Sequence, residues 1–167
     1  MTTIVTTVST GYVHYLKTLL KSIKHHNGTK YDVVVLFHDD TRHQKCLYAF
    51  DKHEIRAIYP VEFRFVSPKQ YEKFGVDNVK FFSLEAFGIE GYDRIIFLDS
   101  DILNVSPLDR LENLTGHLCM AREEKRQDTF NKGVMVIGKD NINRDLPEQL
   151  RNHEGRSGYG TDHALVS

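Results

Sequence analysis

Apolar residues along this chain fall into two rhythms, short unbroken runs and stripes repeating every three or four positions. The first rhythm marks strands buried on both faces, and the second marks helices with one face on a core. Thr3 to Val8 is short and β-branched, a first strand. Ser9-Thr10-Gly11 breaks it, and Tyr12, Tyr15, Leu16, Leu19, Leu20 and Ile23 then predict an amphipathic helix reaching about His26. Asn27-Gly28 closes that helix, with glycine suited to a left-handed cap. Val33-Val34-Val35-Leu36-Phe37 is a second buried strand, followed by the polar turn His38-Asp39-Asp40. A helix is expected from Arg42 to His53, an alternating strand from Val61 to Val66, and helical pieces after Ser67-Pro68, including Val79 to Phe87.

The strand Tyr92 to Leu98 carries the run Ile95-Ile96-Phe97-Leu98 and delivers Asp99-Ser100-Asp101 at its end. Residues two apart on an extended chain point the same way, so both carboxylates can face one point. Paired hard oxygens suit a divalent cation such as Mn²⁺ or Mg²⁺, and ligands of open α/β sheets gather at the carboxyl ends of the strands. A cation holding phosphate oxygens is the chemistry this arrangement points to. Beyond it, Ser106-Pro107 predicts a short helix with serine as cap and proline at the first position. Leu118 to Ala121 and Val134 to Ile137 read as strands, Asn141 to His153 as helix, Gly155 to Gly160 as loop, and Thr161-Asp162 as a helix start. Strands alternating with helices predict a mainly parallel α/β sheet in a layered sandwich.

Composition narrows the function. The chain has 167 residues and a net charge of −1 with both signs interspersed, which predicts one domain and no nucleic-acid surface. No stretch is apolar enough to span a membrane and Met1-Thr2-Thr3 is unlike a signal peptide, so a cytoplasmic location is expected. Cys46 and Cys119 have no metal-binding spacing, consistent with a reducing compartment. The remaining histidines, His25-His26, His38, His43 and His53 among them, show no ligand spacing and are expected to be solvated.

Four stretches, in order, carry a resemblance: Ile4-Val5-Thr6-Thr7-Val8-Ser9-Thr10-Gly11-Tyr12, Tyr92-Asp93-Arg94-Ile95-Ile96-Phe97-Leu98-Asp99-Ser100-Asp101, Phe130-Asn131-Lys132-Gly133-Val134-Met135-Val136-Ile137, and Gly160-Thr161-Asp162-His163. Together they resemble the retaining glycosyltransferases of family 8, which includes glycogenin and bacterial lipopolysaccharide galactosyltransferases. The resemblance implies a GT-A fold, a Rossmann-like three-layer α/β/α sandwich with a mainly parallel mixed sheet. It also implies transfer of a sugar from a UDP-sugar to a glycan or other hydroxyl acceptor with Mn²⁺. By position, Thr7, Ser9 and Tyr12 would hold the uridine, the Tyr12 ring stacking on the base. Asp99 and Asp101 would ligate the metal, with Ser100 between them in the donor site. Asn131 would contact the sugar or acceptor, Glu123 the donor sugar, and Asp162 with His163 the reaction centre.

Departures from the family accompany these matches. Where relatives commonly carry Lys or Arg in the helix before the Asp-x-Asp strand, this chain has Ser83, and Lys80 one turn earlier is the candidate to reach the diphosphate. The family's Gln at the reaction centre is His163, and the small residue after its Asn is Lys132. The family's third metal ligand, a His in a downstream motif, lies beyond residue 167, so the chain is expected to be a single GT-A domain lacking the family's C-terminal segment. Simpler roles stand beside each assignment: Tyr12 as the start of the apolar stripe, Asn131 as a turn residue, Asp162 as a helix cap. A non-catalytic sugar-nucleotide-binding module is the alternative function. A haloacid-dehalogenase-type phosphatase is a weaker one, because its aspartate motif opens the domain. A sugar nucleotidyltransferase is disfavoured by the absence of a Gly-rich phosphate loop near the N-terminus.

Overall fold

The unbroken apolar runs become the inner strands of a six-stranded mixed sheet. The computed structural model describes residues 1–38, 50–74, 78–122 and 130–152. Strands β1 (Thr2–Val8), β2 (Asp32–Phe37), β3 (Val61–Phe65), β4 (Arg94–Leu98), β5 (Leu118–Arg122) and β6 (Phe130–Gly138) lie in the order β3-β2-β1-β4-β6-β5. The first four in chain order are parallel, and β6 runs antiparallel to both β4 and β5.

Helices cover both faces. On one, α1 (Val13–Asn27) and α2 (Lys52–Ile58) bury Leu16, Leu19, Leu20, Ile23, Ile55 and Tyr59 against Ile4, Val33, Val35 and Ile96. On the other, the 3-10 segment Asn78–Gly88 buries Phe82, Leu84 and Phe87 against Val5, Val34, Phe97 and Ile137. Alternate residues of β1 and β4 thus serve opposite cores, which is why neither strand turns a face to solvent. The three-layer α/β/α sandwich expected from the sequence is what forms.

Several element boundaries differ from expectation. The helix expected from Arg42 to His53 is not continuous, since Phe50 and Asp51 are non-helical; residues 39–49 are outside those described. Helix α2 instead begins at Lys52, with the Asp51 carboxylate accepting from the amides of His53 and Glu54. Tyr12 and Tyr15 do not join the buried stripe of α1; both are exposed, and Val13 packs inward instead. Asn27-Gly28 does end α1, at φ +61° and ψ −133°, a glycine conformation outside the left-handed helical region. Ser106 caps nothing. Helix α3 (Asp109–Glu112) starts after Leu108, whose amide donates to Asn27 Oδ1 at the end of α1, 2.8 Å away. The expected helix from Asn141 to His153 divides into a 3-10 turn, Lys139–Asn141, and α4 (Leu146–Asn152). His38 is not solvated: it is 5% exposed and packs edge-on against Phe82, ring centroids 4.9 Å apart.

A polar knot ties α4 to the face carrying the 3-10 segments. The buried Tyr71 hydroxyl donates to Glu85 Oε1 at 2.5 Å, and the Arg151 guanidinium donates to the same oxygen. Burial, and then the Glu85 charge, push the Tyr71 phenol above its ordinary pKa of 10.0.

The sheet is irregular at one place. Met120 pairs with Met135, but Ala121 pairs with Asn131, so residues 132–134 bulge away from β5. Val134 keeps its partner Leu98 on β4, and the Asp99 amide donates to the Gly133 carbonyl at 2.9 Å. A Cβ at position 133 would lie 3.0 Å from Asn131 Oδ1 and 3.3 Å from Asp99 Oδ2. A side chain there would force both of these oxygens to give way by a few tenths of an ångström.

Two outcomes follow from this packing. Gly133→Ala destabilises by about 1–2 kcal/mol in urea unfolding, overpacking outweighing the entropy that alanine removes from the unfolded chain. Gly11→Ala, whose Cβ meets nothing within 4 Å, serves as the neutral or slightly stabilised control. A Gly133→Ala variant as stable as that control would contradict the packing argument. The raised Tyr71 pKa sets the sign of an alkaline effect. Above pH 10 the unfolded phenol loses its proton while the folded one keeps it, so stability falls as pH rises. Melting midpoints measured from pH 9 to 11.5 fall more steeply for the wild type than for Tyr71→Phe; parallel slopes would rule Tyr71 out as their source.

Candidate functional site

Strand β1 lies between β2 and β4 and runs parallel to both, so all three end at the same edge of the sheet. After β1 the chain crosses one face through α1 to β2; before β4 it crosses the other through the 3-10 segments. The strand order therefore reverses between β1 and β4. A crevice opens at such a switch point because the neighbouring connections leave to opposite faces.

A cleft of about 310 Å³ occupies that crevice. Six residues expected in the donor site line it: Thr7 near the end of β1, Ser9 and Tyr12 just beyond it, and Asp99, Ser100 and Asp101 beyond β4. The 3-10 turn Thr10–Tyr12, closed by the Tyr12 amide donating to the Ser9 carbonyl at 2.9 Å, sets the tyrosine at the mouth of the cleft. Its ring is 48% exposed, so the cleft and not the core is its setting. Ser100 is buried, while Asp99 is half-buried and Asp101 exposed. The Ile102 amide donates to the Asp99 carbonyl at 3.1 Å, turning the chain back just past the strand.

The remaining expected residues divide. Asn131 does not belong to the cleft lining among the described residues; its Oδ1 accepts from the Gly133 amide at 2.7 Å, the turn role, and so shapes the bulge beneath Asp99. Lys80 lies within the 3-10 segment Asn78–Gly88, and its side chain is outside those described. Glu123, Asp162 and His163 are likewise outside the described residues. Four lining residues carried no expected site role: Val8, His38, Phe82 and Lys132. His38 follows the apolar run Val33–Phe37, so the strand-end reasoning that singled out Asp99 applies to it equally. Phe82 had no such signal. Lys132 stood out only as a bulky residue where the family keeps a small one.

Lys132 is 13% exposed and its Nζ lies 3.9 Å from Asp99 Oδ1, with the Asp99 side chain 31% exposed. Three or more His, Cys, Asp or Glu side chains grouped for metal binding do not occur among the described residues. Two carboxylates nonetheless fit a hard divalent cation in kind, in an open site where a ligand supplies the other oxygens.

No family model matches the chain, and no curated protein resembles it significantly in sequence. Solved structures do. The galactosyltransferase LgtC, in complex with donor and acceptor sugar analogues, superposes with a TM-score of 0.67 at 19% identity, over 90% of this chain and 62% of LgtC. The glycosyltransferase GlyE of Streptococcus pneumoniae gives 0.67 at 18% identity, over 99% of this chain and 43% of GlyE. The mannosyltransferase Ktr4p of S. cerevisiae, more distant, gives 0.55 at 8% identity, over 99% of this chain and 64% of Ktr4p. The chain thus spans less than two thirds of the length of each. At these identities the likeness is one of fold, and the fold is that of the GT-A glycosyltransferases, as the resemblance to family 8 implied.

Proposed function

We propose that this chain is the donor-binding and catalytic core of a glycosyltransferase that takes a UDP-sugar and passes the sugar to a hydroxyl acceptor, with retention and with Mn²⁺. One observation carries the reading: Thr7, Ser9 and Tyr12 share a single cleft with Asp99-Ser100-Asp101 on a GT-A fold, which we read as a nucleoside half and a phosphate half. The nucleoside half is the exposed Tyr12 ring with the Thr7 and Ser9 hydroxyls. An aromatic face at a cleft mouth stacks on a base, and hydroxyls on either side pair with base and ribose edges. The phosphate half is Asp99-Ser100-Asp101. These carboxylates would repel a diphosphate by themselves, so their use there requires a positive partner.

Asp99 and Asp101 would hold that cation, which when bound would supply Lewis-acid stabilisation of the departing diphosphate. The chain's own part is placement. The Gly133 carbonyl fixes Asp99 through its amide, Ser100 packs beneath, and Asp101 faces solvent where the ligand enters. Carboxylate and amide oxygens near the sugar ring favour the positive charge that develops as the glycosyl bond breaks. By the family resemblance such oxygens belong to Asp162 and Glu123, with His163 beside them, while the Asn131 Oδ1 is engaged by the Gly133 amide. A hydrolytic phosphatase is not favoured, because the aspartate pair sits on the fourth strand of a GT-A sheet.

Isothermal titration of UDP tests the two halves separately. Tyr12→Ala weakens UDP binding by about 5- to 150-fold, the range that ~1–3 kcal/mol of base stacking corresponds to. Asp101→Asn removes the gain in affinity that Mn²⁺ brings and shifts stability by no more than about 0.5 kcal/mol, as expected of an exposed side chain. Unchanged UDP binding in both variants would contradict the assignment of this cleft. A panel of UDP-sugars then separates an enzyme, which releases UDP from one of them, from a module that binds UDP and transfers nothing.

A further inference from the structure

We propose that Lys132 is a resident cation of the cleft that binds the donor diphosphate, so that nucleotide recognition persists in part without metal. The inference rests on the donor reading above and extends it to a residue that reading does not use. Lys132 reaches the cleft because of the bulge in β6. Regular pairing would carry position 132 along the strand beside β5, whereas the bulge frees residues 132–134 from that partner. Its ammonium stands 3.9 Å from Asp99 Oδ1, longer than a direct hydrogen bond, with the side chain 13% exposed. A long stem packed under cover with its charge at a carboxylate is a held cation rather than a solvated surface lysine.

Charge balance gives that cation its use. Among the described residues lining the cleft, Asp99 and Asp101 bring two negative charges and Lys132 brings one lysine ammonium. Among these described groups, a diphosphate entering without metal meets two carboxylates, and Lys132 reduces that repulsion. With metal, the ammonium adds a second positive centre at the same phosphates. A lysine ammonium is a compact donor well suited to phosphate oxygens.

The experiment is titration of UDP and of uridine into the full chain, in EDTA and in Mn²⁺, for wild type, Lys132→Met and Lys132→Arg. Uridine lacks the phosphates, so its affinity reports the nucleoside half alone. In EDTA, wild type binds UDP more tightly than uridine, and Lys132→Met lowers the UDP-to-uridine affinity ratio at least tenfold. Lys132→Arg keeps most of the wild-type ratio, which separates loss of charge from a packing defect. Wild type binding UDP in EDTA no better than uridine, while Mn²⁺ restores UDP binding, would overturn the role of Lys132 and leave the donor reading standing. An unchanged ratio in Lys132→Met would overturn it equally. No binding of UDP or uridine under either condition would overturn the donor reading and this inference with it.

Discussion

The hydrogen bond from the Asp99 amide to the Gly133 carbonyl, 2.9 Å long, is the contact on which the site depends. A parallel strand that ends in the interior must hand its next amide to some acceptor, since a buried unpaired N–H costs about 1–3 kcal/mol. Here the acceptor is offered by a strand running the other way, in the register that Leu98 and Val134 already set. The same few atoms orient the first carboxylate, bring Lys132 alongside it, and leave Asn131 occupied in holding the bulge closed. The chemistry of the cleft is thus set by sheet irregularity at least as much as by loop sequence.

Stability and function draw on different parts of the same strands. Ile4, Val5, Ile96 and Phe97 are fully buried and shared between two cores, while the residues just beyond the strand ends face the cleft. Strands anchored on both faces hold their ends nearly rigid, which fixes two loops from distant parts of the chain at a constant separation. The polar knot of Tyr71, Glu85 and Arg151 secures the face that carries Phe82, and Phe82 in turn packs against His38 in the cleft wall. Cleft-lining groups can therefore change without disturbing the apolar layers, provided the bulge is kept.

The sequence made the layers legible because inner parallel strands are continuous apolar runs, and Val33–Phe37 and Ile95–Leu98 could be little else. The placement of Asp99 and Asp101 at the cleft was legible for the same reason, since they follow such a run directly. What remained hidden depends on partners far apart in the chain. Leu108, just before α3, is tied to Asn27, 81 residues away, so no local signal at Ser106 could place the start of that helix. His38 looked like part of a polar turn, yet Phe82 from a later segment covers it. The three-residue bulge has no periodic signature, and without it Lys132 reads as an ordinary strand residue. Tyr12 misled in the other direction: its spacing fits the apolar stripe of α1, but the 3-10 turn before the helix rotates it out.

The central claim is that the crevice between the ends of β1 and β4 is a site for a uridine diphosphate. A thermal-shift titration with UDP, GDP and CMP, each in Mn²⁺ and in EDTA, addresses it most directly, because a ligand that binds only the native state raises the midpoint by mass action. The account predicts the largest rise for UDP, greater in Mn²⁺ than in EDTA, and its loss in Tyr12→Ala. Equal shifts for all three nucleotides, or none in either condition, would contradict it.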